Sequence, residues 1–170
     1  MQSIKRDDVF TLLERVCQRL TLDGIDYVVY GSAGYALLTE AAIEPADVDI
    51  MVWQADLDRI CTSLSEPDLA LNSILTPFSV HANSLIYNGP DGKPFDISLD
   101  SWEHYFTEAG LDFGRYEEVG STKIRVMQPE DLLCAYEIGL DGGNDWKYDE
   151  YARKIDRLHT LIANRAAAGQ

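Results

Sequence analysis

Positive charge is scarce in this sequence: 14 Lys and Arg stand against 29 Asp and Glu in 170 residues, a formal net charge of -15. A protein that grips nucleic acid along its backbone usually shows a basic face, so a long RNA or DNA ligand is disfavoured. Cysteine is scarce as well. Cys17, Cys61 and Cys134 are odd in number and form no C-x-x-C pair, which argues against a disulfide framework or zinc knuckle and for buried, reduced thiols. No apolar run approaches membrane-spanning length, and Met1 to Arg6 does not open a signal segment, so a cytoplasmic protein with no membrane partner is expected. Repeats, low-complexity tracts and dividing linkers are also missing. One domain over residues 1–170 is therefore expected, with a sheet-containing core to about 127 and a helical tail from about 128. A domain of this length can hide roughly 70% of its unfolded surface, enough for an independent core. The few bases concentrate late, at Arg115, Lys123, Arg125, Lys147, Arg153, Lys154 and Arg157. There they suit either a small anion such as a triphosphate or the solvated face of a terminal helix.

What is present is a clear alternation of helical and extended periods. Val9, Leu12, Leu13, Val16 and Leu20 recur at helical spacing, predicting an amphipathic helix from about 5 to 20 that stops before Asp23-Gly24. Ile25 to Tyr30 reads as a buried strand, Ala33 to Leu38 as a short helix and Asp47 to Trp53 as a second strand. Leu57, Ile60, Cys61 and Leu64 mark a further helical stripe. Leu69 to Leu75 reads as a strand, and Ser84 to Tyr87 with Phe95 to Leu99 as a hairpin around the turn-forming Asn88-Gly89-Pro90-Asp91-Gly92. Asp100 is expected to cap a helix running from Ser101 towards Ala109, with Glu103 as its partner. Val119 to Val126 reads as a last strand. Pro129, backed by Glu130 and Asp131, opens a helix through Tyr136, Asp141-Gly142-Gly143-Asn144 breaks it, and Trp146 to Ala167 forms the tail helix. The order predicts an α/β or α+β fold, a mixed sheet flanked by helices with a C-terminal helical tail.

Chemistry concentrates in Asp47-Val48-Asp49. Strand side chains alternate, so Asp47 and Asp49 project the same way about 7 Å apart while Val48, Ile50 and Val52 supply the opposite row. Two carboxylates at that distance repel by roughly 2 kcal/mol at an effective dielectric near 20, a cost that a divalent cation reverses into attraction. Hard oxygen donors without His or Cys favour Mg²⁺ or Mn²⁺. An Asp-x-Asp on the solvent side of an edge strand would need no ligand. Here, however, Ile50-Met51-Val52-Trp53 continues apolar on both faces, as a central strand does. Gly31-Ser32, at the end of the preceding strand, lets backbone approach a ligand and precedes a helix start whose N-H groups attract phosphate. Ser32 can donate its hydroxyl to a phosphate oxygen or serve as an N-cap. Asp96, between Phe95 and Ile97, is either a metal ligand or base, or the solvent face of a half-exposed hairpin.

Gly31-Ser32, Asp47-x-Asp49 and Asp96, in that order, resemble the nucleotidyltransferase superfamily that includes DNA polymerase beta, in its minimal bacterial form. The resemblance spans roughly residues 25 to 100. The helical remainder is similar to the tails of lincosamide nucleotidyltransferases and of nucleotidyltransferase toxins, the latter implying a cognate protein partner. The resemblance implies that Asp47 and Asp49 hold two metal ions and that Asp96 completes one site and takes the acceptor proton. It also implies that Gly31 and Ser32 hold the triphosphate of an NTP co-substrate. Lys147, in Lys147-Tyr148-Asp149, loosely resembles a phosphate-contacting lysine of relatives, though a surface lysine fits it better. Many relatives carry an Arg and a Thr or Ser just before the acid pair, where this chain has Ile43-Glu44-Pro45-Ala46.

The implied reaction moves a nucleoside monophosphate from a nucleoside triphosphate to a hydroxyl of a small molecule, a protein or an RNA end. The negative charge places RNA last. The competing reading is a catalytically silent member of the same fold, acting as a nucleotide sensor or partner-binding module. A Rossmann unit is disfavoured because Gly31-Ser32-Ala33-Gly34-Tyr35-Ala36 does not fit G-x-G-x-x-G, and a P-loop is excluded by the lack of Gly-Lys-Ser/Thr. His81, His104 and His159 share no spacing that marks a metal site.

Overall fold

The computed structural model describes residues 6–41, 45, 47–64, 76–79, 82–88, 94–106, 109–141 and 147–169. Its first helix, α1 (Arg6–Leu22), buries the stripe Val9, Leu12, Leu13, Val16 and Leu20. Gly24, at φ 65°, ends it in the left-handed conformation. The Ile25 amide reaches back to the Leu20 carbonyl at 2.9 Å and the Gly24 amide to Thr21 at 3.1 Å, the paired bonds of a Schellman cap. That turn delivers the chain into β1 (Tyr27–Tyr30), which is followed without a loop by α2 (Gly31–Thr39).

After β2 (Asp47–Val52) comes a single 3₁₀ turn (Gln54–Asp56) and α3 (Leu57–Leu64), which packs against α1. The middle of the chain supplies β3 (Thr76–Ser79), β4 (Ala82–Asn88) and β5 (Pro94–Ser101), then one turn of helix, α4 (Trp102–Tyr105). Two short strands, β6 (Tyr116–Val119) and β7 (Ile124–Met127), precede α5 (Pro129–Asp141) and α6 (Tyr148–Ala168). The sheet has seven strands in the order β3-β4-β5-β2-β1-β7-β6. It is mixed: β2 runs antiparallel to β1 and parallel to β5, while β1 and β7 are parallel. Helices α2, α5 and α6 pack on one another. No described helix is long and apolar enough to cross a membrane.

Several local expectations are corrected. Asp100 is a strand residue of β5 and not a cap; Ser101 takes the capping role, accepting from the His104 amide at 3.4 Å. The helix it opens ends at Tyr105 instead of continuing towards Ala109. Residues 119–126 are not one strand, because Gly120 and Lys123 both adopt positive φ and fold the segment into the β6–β7 hairpin. The expected strand Leu69 to Leu75 and the turn residues 89–93 lie outside the described residues, as does the break at 142–144. β3 was not anticipated: Pro77 and Ser79 interrupt any apolar alternation there, and its pairing with β4 carries an irregular register.

Candidate active site

β2 is fourth of seven strands, and Val48, Ile50, Met51 and Val52 are all buried. Burial on both faces is what its apolar run predicts of a central strand. Asp47 and Asp49 are only half-buried, because they sit where the strand begins and its end opens to solvent. The parallel register with β5 sets Asp47 directly opposite Asp96 and Asp49 opposite Ser98. Cross-strand partners point to the same side of a sheet, so the structure brings the three aspartates onto one face. Asp96 itself is exposed, and the cost of burying a carboxylate falls on Asp49 and Asp100.

The antiparallel partner of Asp49 is Tyr30, the last residue of β1. One residue further, Gly31 takes φ 60° and turns the chain into α2; a Cβ built there would lie 2.1 Å from Asp49 Oδ2. The carboxylate thus lies against the glycine. Ser32 is in the first turn of α2, not at its cap. The capping position is Tyr30, which makes no side-chain cap bond.

Desolvation, then repulsion from Asp47 and Asp100, pushes the Asp49 carboxyl up to about 7. Lys147 opposes this shift, and Asp96 adds to it weakly. Lys147 lies just ahead of α6 with its ammonium 5.9 Å from the Tyr151 ring centroid. A cleft of ≈ 180 Å³ joins these parts, lined by Tyr30, Gly31, Ser32, Asp47, Asp49, Leu132, Ala135, Tyr136, Lys147 and Tyr151. A larger groove of ≈ 790 Å³ lies at the other end of α2, between Leu38 to Glu40 and α6, remote from the carboxylates.

Three participants were not assigned to the site from the sequence, where Lys154 appeared only as one of the late bases suited to a small anion or a solvated helix face. Asp100 is buried on the same face of β5 as Asp96 and accepts a 2.7 Å hydrogen bond from Tyr30 Oη. Burial, opposed by that bond, raises its carboxyl, with Asp96 and Asp47 adding to the rise. The even spacing 96, 98, 100 was the available signal. Tyr136 has its hydroxyl buried, and burial, with Asp49 next, raises its phenol against the opposing hydrogen bond with Ser32. Lys154 is buried too, with Nζ 2.8 Å from Ser32 Oγ and 2.5 Å from Glu150 Oε1. Its signal was position: it falls three residues after Tyr151 and four before Leu158, on the apolar stripe of α6, where a lysine is out of place.

Hard oxygen donors on one face, beside an uncapped helix start, fit a divalent cation and a phosphate group in chemical type. Among the described residues no three Asp, Glu, His or Cys side chains are closed on a single ion-sized point. Mutual repulsion favours such a spread, and a cation between the carboxylates would draw them together.

The fold built from these elements is that of nucleotidyltransferase-like proteins. An antigenic nucleotidyltransferase-like protein from Paracoccidioides brasiliensis superposes with a TM-score of 0.69 at 17% identity, over 98% of this chain and 91% of that one. ANT(2'')-Ia, solved in complex with adenylyl-2''-tobramycin, gives a TM-score of 0.61 at 9% identity, covering 94% of this chain and 98% of its own. The lincosamide antibiotic adenylyltransferase LnuA, lincomycin-bound, gives 0.55 at 14% identity, over 94% and 99%. No family model and no curated protein matches the sequence.

Proposed function

We propose that this protein is a metal-dependent nucleotidyltransferase that moves a nucleoside monophosphate from an NTP to a hydroxyl of a small-molecule or protein acceptor. The observation that carries the reading is the register of β2 against β5. It stands Asp96 beside Asp47, with Asp49 two residues along the same face and against the Gly31 turn. The fold shared with adenylyltransferases supports the reaction class, and the net charge of -15 argues against a nucleic-acid acceptor.

In this reading Asp47, Asp49 and Asp96 hold magnesium, which when bound neutralises the triphosphate and the departing pyrophosphate. Gly31 admits the triphosphate close to backbone, the first turn of α2 presents its N-H groups, and Ser32 and Lys147 give hydrogen bonds to phosphate oxygens. Asp96, the most solvent-facing of the three acids, takes the proton of the acceptor hydroxyl as its oxygen bonds the α-phosphorus and the bond to the β-phosphate bridge breaks. Holding donor and acceptor in line accounts for most of the rate.

The test is incubation of the purified protein with Mg²⁺ and each of the four labelled NTPs plus cell extract, scored for pyrophosphate and a labelled acceptor. Release with one NTP is the expected outcome. Nucleotide binding without release with any acceptor would favour the silent sensor, a reading motivated by Ile43-Glu44-Pro45-Ala46 in place of the relatives' Arg and hydroxyl residue. Asp96→Asn supplies a second check. Because Asp96 is exposed, the melting temperature should hold, while turnover should fall by roughly 10²-fold or more with loss of the general base. Retained turnover would remove Asp96 from the site.

A further inference from the structure

We propose that Lys154 is a positioning residue of the phosphate site, acting through Ser32 by fixing that hydroxyl as a hydrogen-bond donor toward the cleft. The inference rests on the nucleotidyltransferase reading above and deepens it.

An ammonium has three donors and no acceptor, so in the 2.8 Å contact between Lys154 Nζ and Ser32 Oγ the serine oxygen must accept. The single hydrogen of Ser32 is thereby turned away from Lys154. On the cleft side the acceptor is either the buried Tyr136 Oη, whose hydrogen bond with Ser32 opposes the rise of its phenol, or a phosphate oxygen entering beside Gly31. Lys154 selects one of the two roles open to a serine hydroxyl, the one an anion needs.

Two simpler roles fit less well. As a salt bridge, Lys154 is poorly placed: its side chain is 8% exposed, whereas Glu150 is 49% exposed. Burying an ammonium costs desolvation that a half-exposed partner returns only in part, even though the Lys154 hydrogen bond holds the Glu150 carboxyl below its ordinary range. An apolar residue on that stripe, between Tyr151 and Leu158, would avoid the cost altogether. As a direct phosphate ligand it is shielded. Among the described residues the cleft is lined by Ser32 and not by Lys154, whose Nζ lies 5.2 Å from the Tyr136 ring centroid and 5.8 Å from that of Tyr35. Two aromatic faces, Glu150 and Ser32 therefore hold the ammonium one residue behind the cleft wall.

The experiment is a double-mutant cycle on binding of Mg²⁺–tripolyphosphate, a probe that needs no base, measured by calorimetry on wild type, Ser32→Ala, Lys154→Met and the double variant. Each single change should weaken binding about tenfold, the value of one hydrogen bond to a charged group, and the double variant should again lie about tenfold below wild type. Steady-state kinetics with the NTP should show one pattern for both single variants, a raised KM with kcat held. A structural loss would lower kcat through the folded fraction and leave KM unchanged. Additive losses, near a hundredfold in the double variant, would overturn the proposal by making Lys154 a phosphate ligand in its own right. Wild-type affinity in Lys154→Met would overturn it as well. Lys154→Leu provides a second apolar replacement should the Met variant not fold. Failure of the wild-type protein itself to bind the probe would strike the nucleotidyltransferase reading, and is seen before any variant is compared.

Discussion

Gly31→Ala is expected to destabilise the protein by about 2 kcal/mol or more and to reduce turnover by at least roughly 10²-fold. Two costs coincide at this position. A left-handed φ of 60° charges any residue with a Cβ about 1–2 kcal/mol. The new methyl would also stand 2.1 Å from Asp49 Oδ2 and 2.9 Å from its Cγ, closer than any real contact, so the carboxylate must move. In the proposed site Asp49 holds the metal, and a displacement on the order of 1 Å of such a group is enough for the loss of rate. The two costs can be separated by repeating the substitution in an Asp49→Ala background, where only the backbone term of about 1–2 kcal/mol should persist. Denaturant unfolding of the four proteins measures the coupling. Equal destabilisation in both backgrounds would mean that the close approach of Gly31 and Asp49 has no energetic weight.

Asp49→Asn should raise the stability of the metal-free protein at pH 8 while abolishing its stabilisation by Mg²⁺. The sign follows from the Asp49 carboxyl, raised from 3.8 in the unfolded chain to about 7 in the folded one. A raised pKa means that the folded state binds the proton more tightly. The stability it contributes is complete below pH 3.8, erodes as pH rises through the interval and is gone above about 7. At about 2–4 °C per kcal/mol for a chain of this size, the variant should melt several degrees above wild type at pH 8. Near pH 4 the two should converge. Asp100, raised chiefly by burial, titrates in the same direction in both proteins, and its repulsion of Asp49 is part of what the Asn variant removes. Thermal melts across pH 4–8, with and without Mg²⁺, decide the matter. An Asn variant less stable than wild type at pH 8 without metal would show that the site carries no electrostatic strain there.

The strain explains the local sequence. Desolvated carboxylates crowded by others of the same sign oppose folding, and such groups are kept where a cation or a positive ligand compensates them. Tyr30, donating to Asp100 and set edge-on to Phe106 at 5.9 Å, contributes to that desolvation by walling the inner side of the cluster.

How far the residues announced this arrangement depends on the range of each interaction. The α1 stripe, the stop at Gly24, the buried β2 and the apolar face of α6 were legible, since each follows from a period of 3.6 or 2 read along a few turns. The β6–β7 hairpin was not, because Ser121 and Thr122 look extended and only the positive φ of Lys123 completes the reversal begun at Gly120. Asp100 was misread for a related reason: an acid just before a helix satisfies a capping pattern, and only the continued pairing of β5 with β2 through Ser101 shows that the strand extends past it.

By itself the sequence determined that Asp47 and Asp49 share one side of β2, and that Val9, Leu12, Leu13, Val16 and Leu20 share one side of α1. Those relations are local and geometric. The tertiary structure alone decided that Asp96 stands beside Asp47, that Tyr30 reaches Asp100 across β2, and that Lys154 meets Ser32 over 122 residues of chain. Strand order and helix packing choose such neighbours by the burial of whole surfaces, a property of the folded ensemble of elements to which no single period along the chain responds.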